Sequence, residues 1–240
     1  MQRKIYDFIQ YKEDSHWWFK ARKEIVMDVI KSYKNVPIDK CLDIGCGSGY
    51  FLSAFNEFCK ECQGVEPYTY DNTKFENIIQ CSAEHTPFVD KSFDVITMLD
   101  VLEHIKDEQP VLSEVKRLLK DDGVYLATVP ACQWLYSKHD EENGHERRYS
   151  KKQLVDLFES AGFEVVKATY INSILFLPQA GIRLMEKKLN KEVVTEVTPS
   201  PTVNKILYNV FLSEKNLIRK MNLPIGLSLL IVAKKRCVTE

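Results

Sequence analysis

The chain has 240 residues, 45% hydrophobic and 28% charged, enough for one α/β unit with a full core and a modest insertion. Its 33 basic side chains against 34 acidic ones leave a net charge of −1, and without a basic excess a polymeric nucleic acid is excluded as the expected substrate. No apolar run reaches the roughly eighteen residues needed to cross a bilayer, no apolar leader follows Met1, and seven cysteines, an odd number, fit a reducing cytoplasm.

Apolar runs alternate with segments of helical period along the chain, which predicts a mostly parallel sheet with helices on both faces. Helices are expected over residues 1–12 and 16–34. In the second, Trp18, Arg22, Ile25, Val26 and Val29 follow helical spacing, and Pro37 closes the segment. A first strand is expected at 40–45, with a helix starting near Gly49 and carrying Tyr50, Phe51, Leu52 and Phe55. Strands two and three fall at 61–66 and 77–81. Phe93 to Leu99 is a fourth strand, followed by a helix running to about Lys120. Asp121-Asp-Gly123 then turns into strand five at 124–129, which Pro130 stops. A helix at 151–161 ends on Gly162, and strand six follows at 163–171. Residues 172–222 hold apolar helical stretches around a polar connector, Thr195 to Thr202, before a seventh strand from Gly226 to Lys234.

The chemistry-bearing stretch is Cys41-Leu-Asp-Ile-Gly-Cys-Gly-Ser-Gly49, with Glu66 seventeen positions after its last glycine. An apolar strand entering a glycine turn lets backbone approach a ligand closely, and a later acid can accept hydrogen bonds from a ribose. Alone, Glu66-Pro67 reads as an acid in an exposed turn. The G-x-G-x-G spacing brings the third glycine one residue earlier than in the dinucleotide fingerprint, which argues against a nicotinamide enzyme. Strand, turn and acid together resemble motif I of the class I S-adenosylmethionine-dependent methyltransferases, and the resemblance runs from His16 to about Lys235.

That resemblance implies a Rossmann-like, seven-stranded α/β sheet whose last strand is antiparallel, with S-adenosyl-L-methionine as cofactor and S-adenosyl-L-homocysteine as product. It implies that the turn through Gly45, Cys46, Gly47 and Gly49 passes beneath the methionine part. Asp43 would anchor the charged amino end, and Glu66, beside Pro67, the ribose hydroxyls. Cys81-Ser-Ala-Glu-His-Thr-Pro-Phe88 resembles the family's adenine segment, with Ser82 where an aspartate is frequent and Ala83 and Glu84 as contacts. Leu99-Asp-Val-Leu-Glu-His104 is similar to the family's D-x-L-E-H element. Leu99 would touch the cofactor through its backbone, Asp100 would cap the following helix, and His104 would lie near the departing methyl group.

Two clusters point to the acceptor. His16-Trp-Trp-Phe19 followed by Ala21-Arg22 resembles the H-W-W-F-x-A-R element of a bacterial small-molecule subgroup. The likeness implies a helical lid over residues 1–36, ahead of a catalytic domain over 37–240, with Trp17 and Arg22 as cofactor contacts; a helix merely docked on the core is the alternative. His139-Asp140 and Gly144-His-Glu-Arg-Arg-Tyr149 put histidines and arginines on a loop at the ligand edge of the sheet, which suggests acid–base work and anion recognition. His145 or His104 is the candidate base, with His139, Arg147, Arg148 and Tyr149 toward the substrate. A solvated loop with Arg147 or Arg148 pairing Glu141 or Glu142 is the plainer reading.

Cys59-Lys-Glu-Cys62 lacks a second pair at zinc-site distance, and His104, His139 and His145 lack an assured carboxylate partner, so no metal is expected. Val203, Ile206, Leu207, Val210 and Phe211 form an apolar stripe read as docked on the core, in preference to a greasy pocket or peripheral membrane contact. The expected activity is methyl transfer to oxygen or nitrogen of a small molecule, such as a sugar-linked, lipid-linked or quinone-like acceptor. The alternative is an inactive S-adenosylmethionine-binding partner or sensor.

Overall fold

In the computed structural model, residues 12–35, 37–68, 76–189 and 199–236 are described. All but the last residue of the helix expected over 1–12, and the first part of the connector at 195–202, lie outside them. Helix α1 (Trp17–Tyr33) is capped by His16, whose side chain accepts from the Trp18 N–H, and it buries Ala21, Ile25, Val29 and Ile30 along one stripe. Then come β1 (Ile38–Ile44), the single turn α2 (Leu52–Phe55), β2 (Cys59–Glu66), β3 (Ile78–Gln80) and β4 (Phe93–Leu99). Helix α3 (Gln109–Leu118) leads into β5 (Leu119–Pro130), followed by α4 (Lys138–Glu142), α5 (Lys151–Ser160) and β6 (Phe163–Ile171). Helices α6 (Phe176–Leu189) and α7 (Pro201–Lys220) precede β7 (Ser228–Lys235).

The seven strands form one sheet in the order β3-β2-β1-β4-β5-β7-β6. Its first five members are parallel, while β7 runs antiparallel to both β5 and β6. Period-two alternation divides each central strand between two cores. Cys41, Val124 and Leu126 join α1 and α7 residues such as Ile25 and Phe211 on one face. Leu42, Ile44, Tyr125 and Ala127 join Val111, Val115, Leu154 and Phe158 of α3 and α5 on the other. Because β1 lies between β2 and β4, the chain leaves its carboxyl end where the strand order reverses, the place at which open α/β sheets bind ligands.

Several expectations are corrected. No helix runs from β4 to Lys120: a 3₁₀ turn at Leu102–His104 is followed by α3, which begins afresh with Pro110 in its first turn. Asp100 therefore caps no helix. It sits at φ 59° with its carboxylate turned to Thr128 and Arg22. The turn expected at Asp121-Asp-Gly123 is absorbed into β5, where the pairing with β4 shifts register between Phe93 and Val95. Gly123 is needed there because a Cβ would lie 2.7 Å from Leu119 and 2.9 Å from the Lys120 carbonyl. On α7 the stripe only partly docks: Phe211 is buried and Leu207 packs on the core, but Val203 and Ile206 are exposed, and Tyr208 and Leu212 join the packing from outside the stripe.

Candidate active site

A cavity of about 960 Å³ opens at the carboxyl ends of the parallel strands. At one end the glycine turn leaves β1. Gly45 (φ +72°) and Gly47 (φ +55°) line the cavity in left-handed conformations, and a Cβ on Gly45 would strike Val101 at 2.4 Å. Gly49 (φ +87°) does not line the cavity; it closes the turn by donating its N–H to the Cys46 carbonyl at 3.0 Å. Glu66, buried at the end of β2, accepts from the N–H groups of Gly47 (3.0 Å) and Tyr68 (3.3 Å). Burial raises its pKa, and those two donors hold it back. Asp43 accepts from the Thr97 hydroxyl at 2.6 Å. Burial, reinforced by Glu66 and Glu13 and opposed by Thr97 and Arg22, pushes its carboxyl up to about 7.

Cys46, Pro67, Ser82, Ala83, Glu84, Leu99 and Asp100 also face this space. Sequence reasoning missed Glu13 here. It is buried, lines the cavity and accepts from the Ser48 hydroxyl at 2.6 Å. Lying ahead of the aromatic cluster, it carries no motif of its own.

The aromatic cluster faces both core and cavity. Trp18 stacks on Phe211 of α7 at 5.1 Å, Trp17 meets the same ring edge-on at 6.1 Å, and Asn204 of α7 accepts from the Trp17 N–H. Trp17 and Arg22 line the cavity. The Arg22 guanidinium lies over the rings of Trp18 and Phe19 and pairs with Asp100, tying α1 to the segment after β4.

At the far end the histidines converge. His104 and His145 meet edge-to-face at 4.8 Å, and both line the cavity with His139 and Arg148. The His145 Nδ1 lies 2.9 Å from Asp140 Oδ1, and the His104 Nδ1 lies 3.1 Å from the Gly144 carbonyl. Both partners only accept, so each Nδ1 carries a hydrogen, and in the neutral ring Nε2 is the nitrogen with the lone pair. Burial, with His145 alongside, holds His104 down to about 4, and burial with Arg183 alongside does the same for His139.

Asp140 is fully buried and also accepts from Arg148 Nε (2.9 Å) and the Ser137 N–H (2.9 Å). Although burial works against it, His145 and Arg148 hold its carboxyl below the ordinary range. Arg147 and Tyr149 do not line the cavity. Arg147 pairs with Glu108, and the Tyr149 hydroxyl donates to Glu108 at 3.0 Å, so both brace the loop from behind. Neither arginine uses Glu141 or Glu142 as its partner in these contacts. Glu103 is a second residue that sequence reasoning passed over, and Asp140 was seen beside His139 but given no role; only the fold turns them toward the histidines.

Residues 16–168 match the family model for a methyltransferase domain. An uncharacterized protein of Methanocaldococcus jannaschii is 26% identical over 170 residues, covering 68% of this chain and 83% of the relative. An uncharacterized methyltransferase of Bacillus subtilis is 35% identical over 101 residues, 36% of this chain and 39% of that protein. The chain thus spans most of the first relative's length and under half of the second's. Among solved structures, a SAM-dependent methyltransferase from Archaeoglobus fulgidus superposes with a TM-score of 0.56 at 22% identity, covering 95% of this chain and 99% of that one.

Proposed function

This chain belongs to the methyltransferase domain family, and we propose that it methylates an oxygen or nitrogen of a small-molecule acceptor, with His145 and His104 on the acceptor side. It is an S-adenosylmethionine-dependent methyltransferase. One observation carries the finer reading: the glycine turn, the buried Glu66 and the paired imidazoles line the same cavity.

In this reading Gly45 to Gly47 would hold the cofactor's methionine part and Asp43 its amino end. Glu66 would accept from the ribose hydroxyls, and Ser82, Ala83 and Glu84 would border the adenine. Helix α1 acts as a lid, with Trp17 against the cofactor and the Arg22–Asp100 pair as its latch. When bound, S-adenosylmethionine would supply an electrophilic methyl group toward the histidine end and leave as S-adenosylhomocysteine, while His145 or His104 would take the proton that the acceptor hydroxyl or ammonium gives up. Positioning and exclusion of water supply much of the rate. Asp140 acts as a positioning residue, because its hydrogen bond fixes the His145 tautomer that leaves Nε2 open. His139 and Arg148, on the same wall, suit a polar or anionic group on the acceptor. The net charge of −1 supports a small molecule over a nucleic acid.

The test is calorimetric titration with S-adenosylmethionine and with NAD, followed by a search of metabolite pools for labelled methyl uptake. Saturable binding of S-adenosylmethionine alone, with label entering a low-mass fraction, is expected. Label entering only tRNA or protein would overturn the small-molecule reading.

A further inference from the structure

The sequence contains three histidines near the methyl-delivery end without an assured acidic partner; the fold supplies the acid. Glu103, His104 and His145 each bring a ligand atom to within 4.8 Å of the other two. Glu103 is 1% exposed, and neither of its carboxylate oxygens has a hydrogen-bond partner among the described residues. A buried carboxyl with both oxygens unmatched is rare in folded proteins, because its desolvation goes uncompensated. It lies in the 3₁₀ turn at Leu102–His104, whose break from α3 directs it into the cavity wall rather than onto a helix surface.

The imidazoles are already oriented as metal ligands require. The Gly144 carbonyl engages one Nδ1–H and the Asp140 carboxylate the other, which leaves each Nε2 as the ring nitrogen open to a ligand. Outer partners of that kind are what orient metal-bound histidines. Asp140 is itself fixed by Arg148 and the Ser137 N–H. We propose that Glu103, His104 and His145 bind a divalent first-row transition cation at the acceptor end of the cavity. Two imidazole nitrogens and one carboxylate suit zinc, cobalt, iron or manganese better than magnesium or calcium. Three protein ligands leave positions open for an acceptor oxygen. Ligand atoms bind such ions at about 2.0–2.2 Å, so the three side chains close in when the ion enters.

The inference rests on the reading that this pair faces the acceptor, and it specifies how the pair acts. With the cation bound, an acceptor hydroxyl becomes a ligand and its proton passes to water. The oxygen then takes the methyl group as the carbon–sulfur bond breaks. Asp140 and Gly144 act through the histidines as positioning groups.

The test uses the full chain, stripped by chelator and then freed of it, titrated with Co²⁺ and followed by visible absorption. One equivalent per chain is expected, with a ligand-field spectrum. Glu103→Gln, nearly the same shape, should abolish that spectrum while thermal unfolding stays cooperative. Asp140→Asn should weaken Co²⁺ by about 10–100-fold, and His85→Gln, outside the cluster, should leave it unchanged. Should Glu103→Gln not fold, His104→Ala carries the same expectation. Absence of a saturable spectrum in the wild type, or unchanged affinity in the ligand variants, overturns the proposal. Turnover untouched by chelator yet lost in His145→Ala overturns the cation and leaves the histidine-base reading standing. A saturable Co²⁺ site in the wild type that is lost in Glu103→Gln, alongside full turnover in His145→Ala, upholds the cation and overturns the acceptor-side reading.

Discussion

At the glycine-turn end of the cavity, position is set by backbone at the tips of neighbouring strands, whereas at the histidine end it is set by side chains that hold other side chains. Gly45 and Gly47 follow β1 and Glu66 ends β2, and the six paired positions of these strands fix their separation. His104, Asp140, His145 and Arg148 come from a 3₁₀ turn, a five-residue helix and a loop, joined by hydrogen bonds between groups up to 40 positions apart. The first arrangement tolerates changes in composition but not an added Cβ. The second tolerates neither loss of an imidazole nor loss of the acid behind it. The two ends should therefore fail separately: damage at one weakens cofactor binding, and damage at the other slows turnover.

The largest separation is expected from His145→Ala. Turnover on an identified acceptor should fall by about 10²–10⁴-fold, the usual worth of a positioned proton-transfer group. Cofactor affinity should scarcely move. Equal losses in turnover and affinity would erase the boundary between the two ends.

Gly47→Val attacks the other end. A β-branched side chain at φ +55° brings backbone strain of roughly 1–3 kcal/mol, in addition to occupying the ligand's space. S-adenosylmethionine binding should weaken about 100-fold or more while unfolding remains cooperative. Micromolar binding that persists in a folded variant would mean that the turn faces another ligand.

Glu66→Ala removes two charge-assisted acceptors, which should weaken the cofactor by about 1.5–3 kcal/mol, near one to two powers of ten in affinity. Calorimetry on the folded variant decides this, and unchanged affinity would take the ribose away from Glu66.

The smallest effect sharpens the comparison through protons. With the Asp43 carboxyl pushed up to about 7, the free protein holds it protonated below that pH. A bound ammonium group favours the ionised form, so cofactor binding should release a proton there. Affinity should then rise with pH by up to about tenfold per unit until Asp43 is ionised without help. Titrations about one unit below that value, in buffers of differing ionisation heat, should reveal the released proton. Heats independent of buffer would remove Asp43 from the cofactor's amino end.

The same contrast explains what could be read from the residues alone. Strands four and six were legible to the residue because runs rich in β-branched and aromatic residues, with turn residues at their ends, leave one assignment. The glycine turn was legible because its signal is contiguous. Asp100 was misread as a cap because nothing local shows that its backbone turns to φ 59° and ends the helical run. Arg147 and Tyr149 carry the residue types of a binding site, yet Glu108 engages both from behind. Glu103 gave no signal: its significance lies in the absence of a partner, and only packing reveals that. Asp140 was visible beside His139 in the sequence, but its pairing with His145 depends on the short helix α4 bringing positions five apart together.

The most direct test of a single cavity with separable ends is a crystal structure of the protein with S-adenosylhomocysteine bound. The account predicts ribose hydroxyls on Glu66, the amino end beside Asp43, and the sulfur facing open space bounded by His104 and His145. A ligand seated away from the glycine turn, or a sulfur directed away from the two histidines, would contradict it.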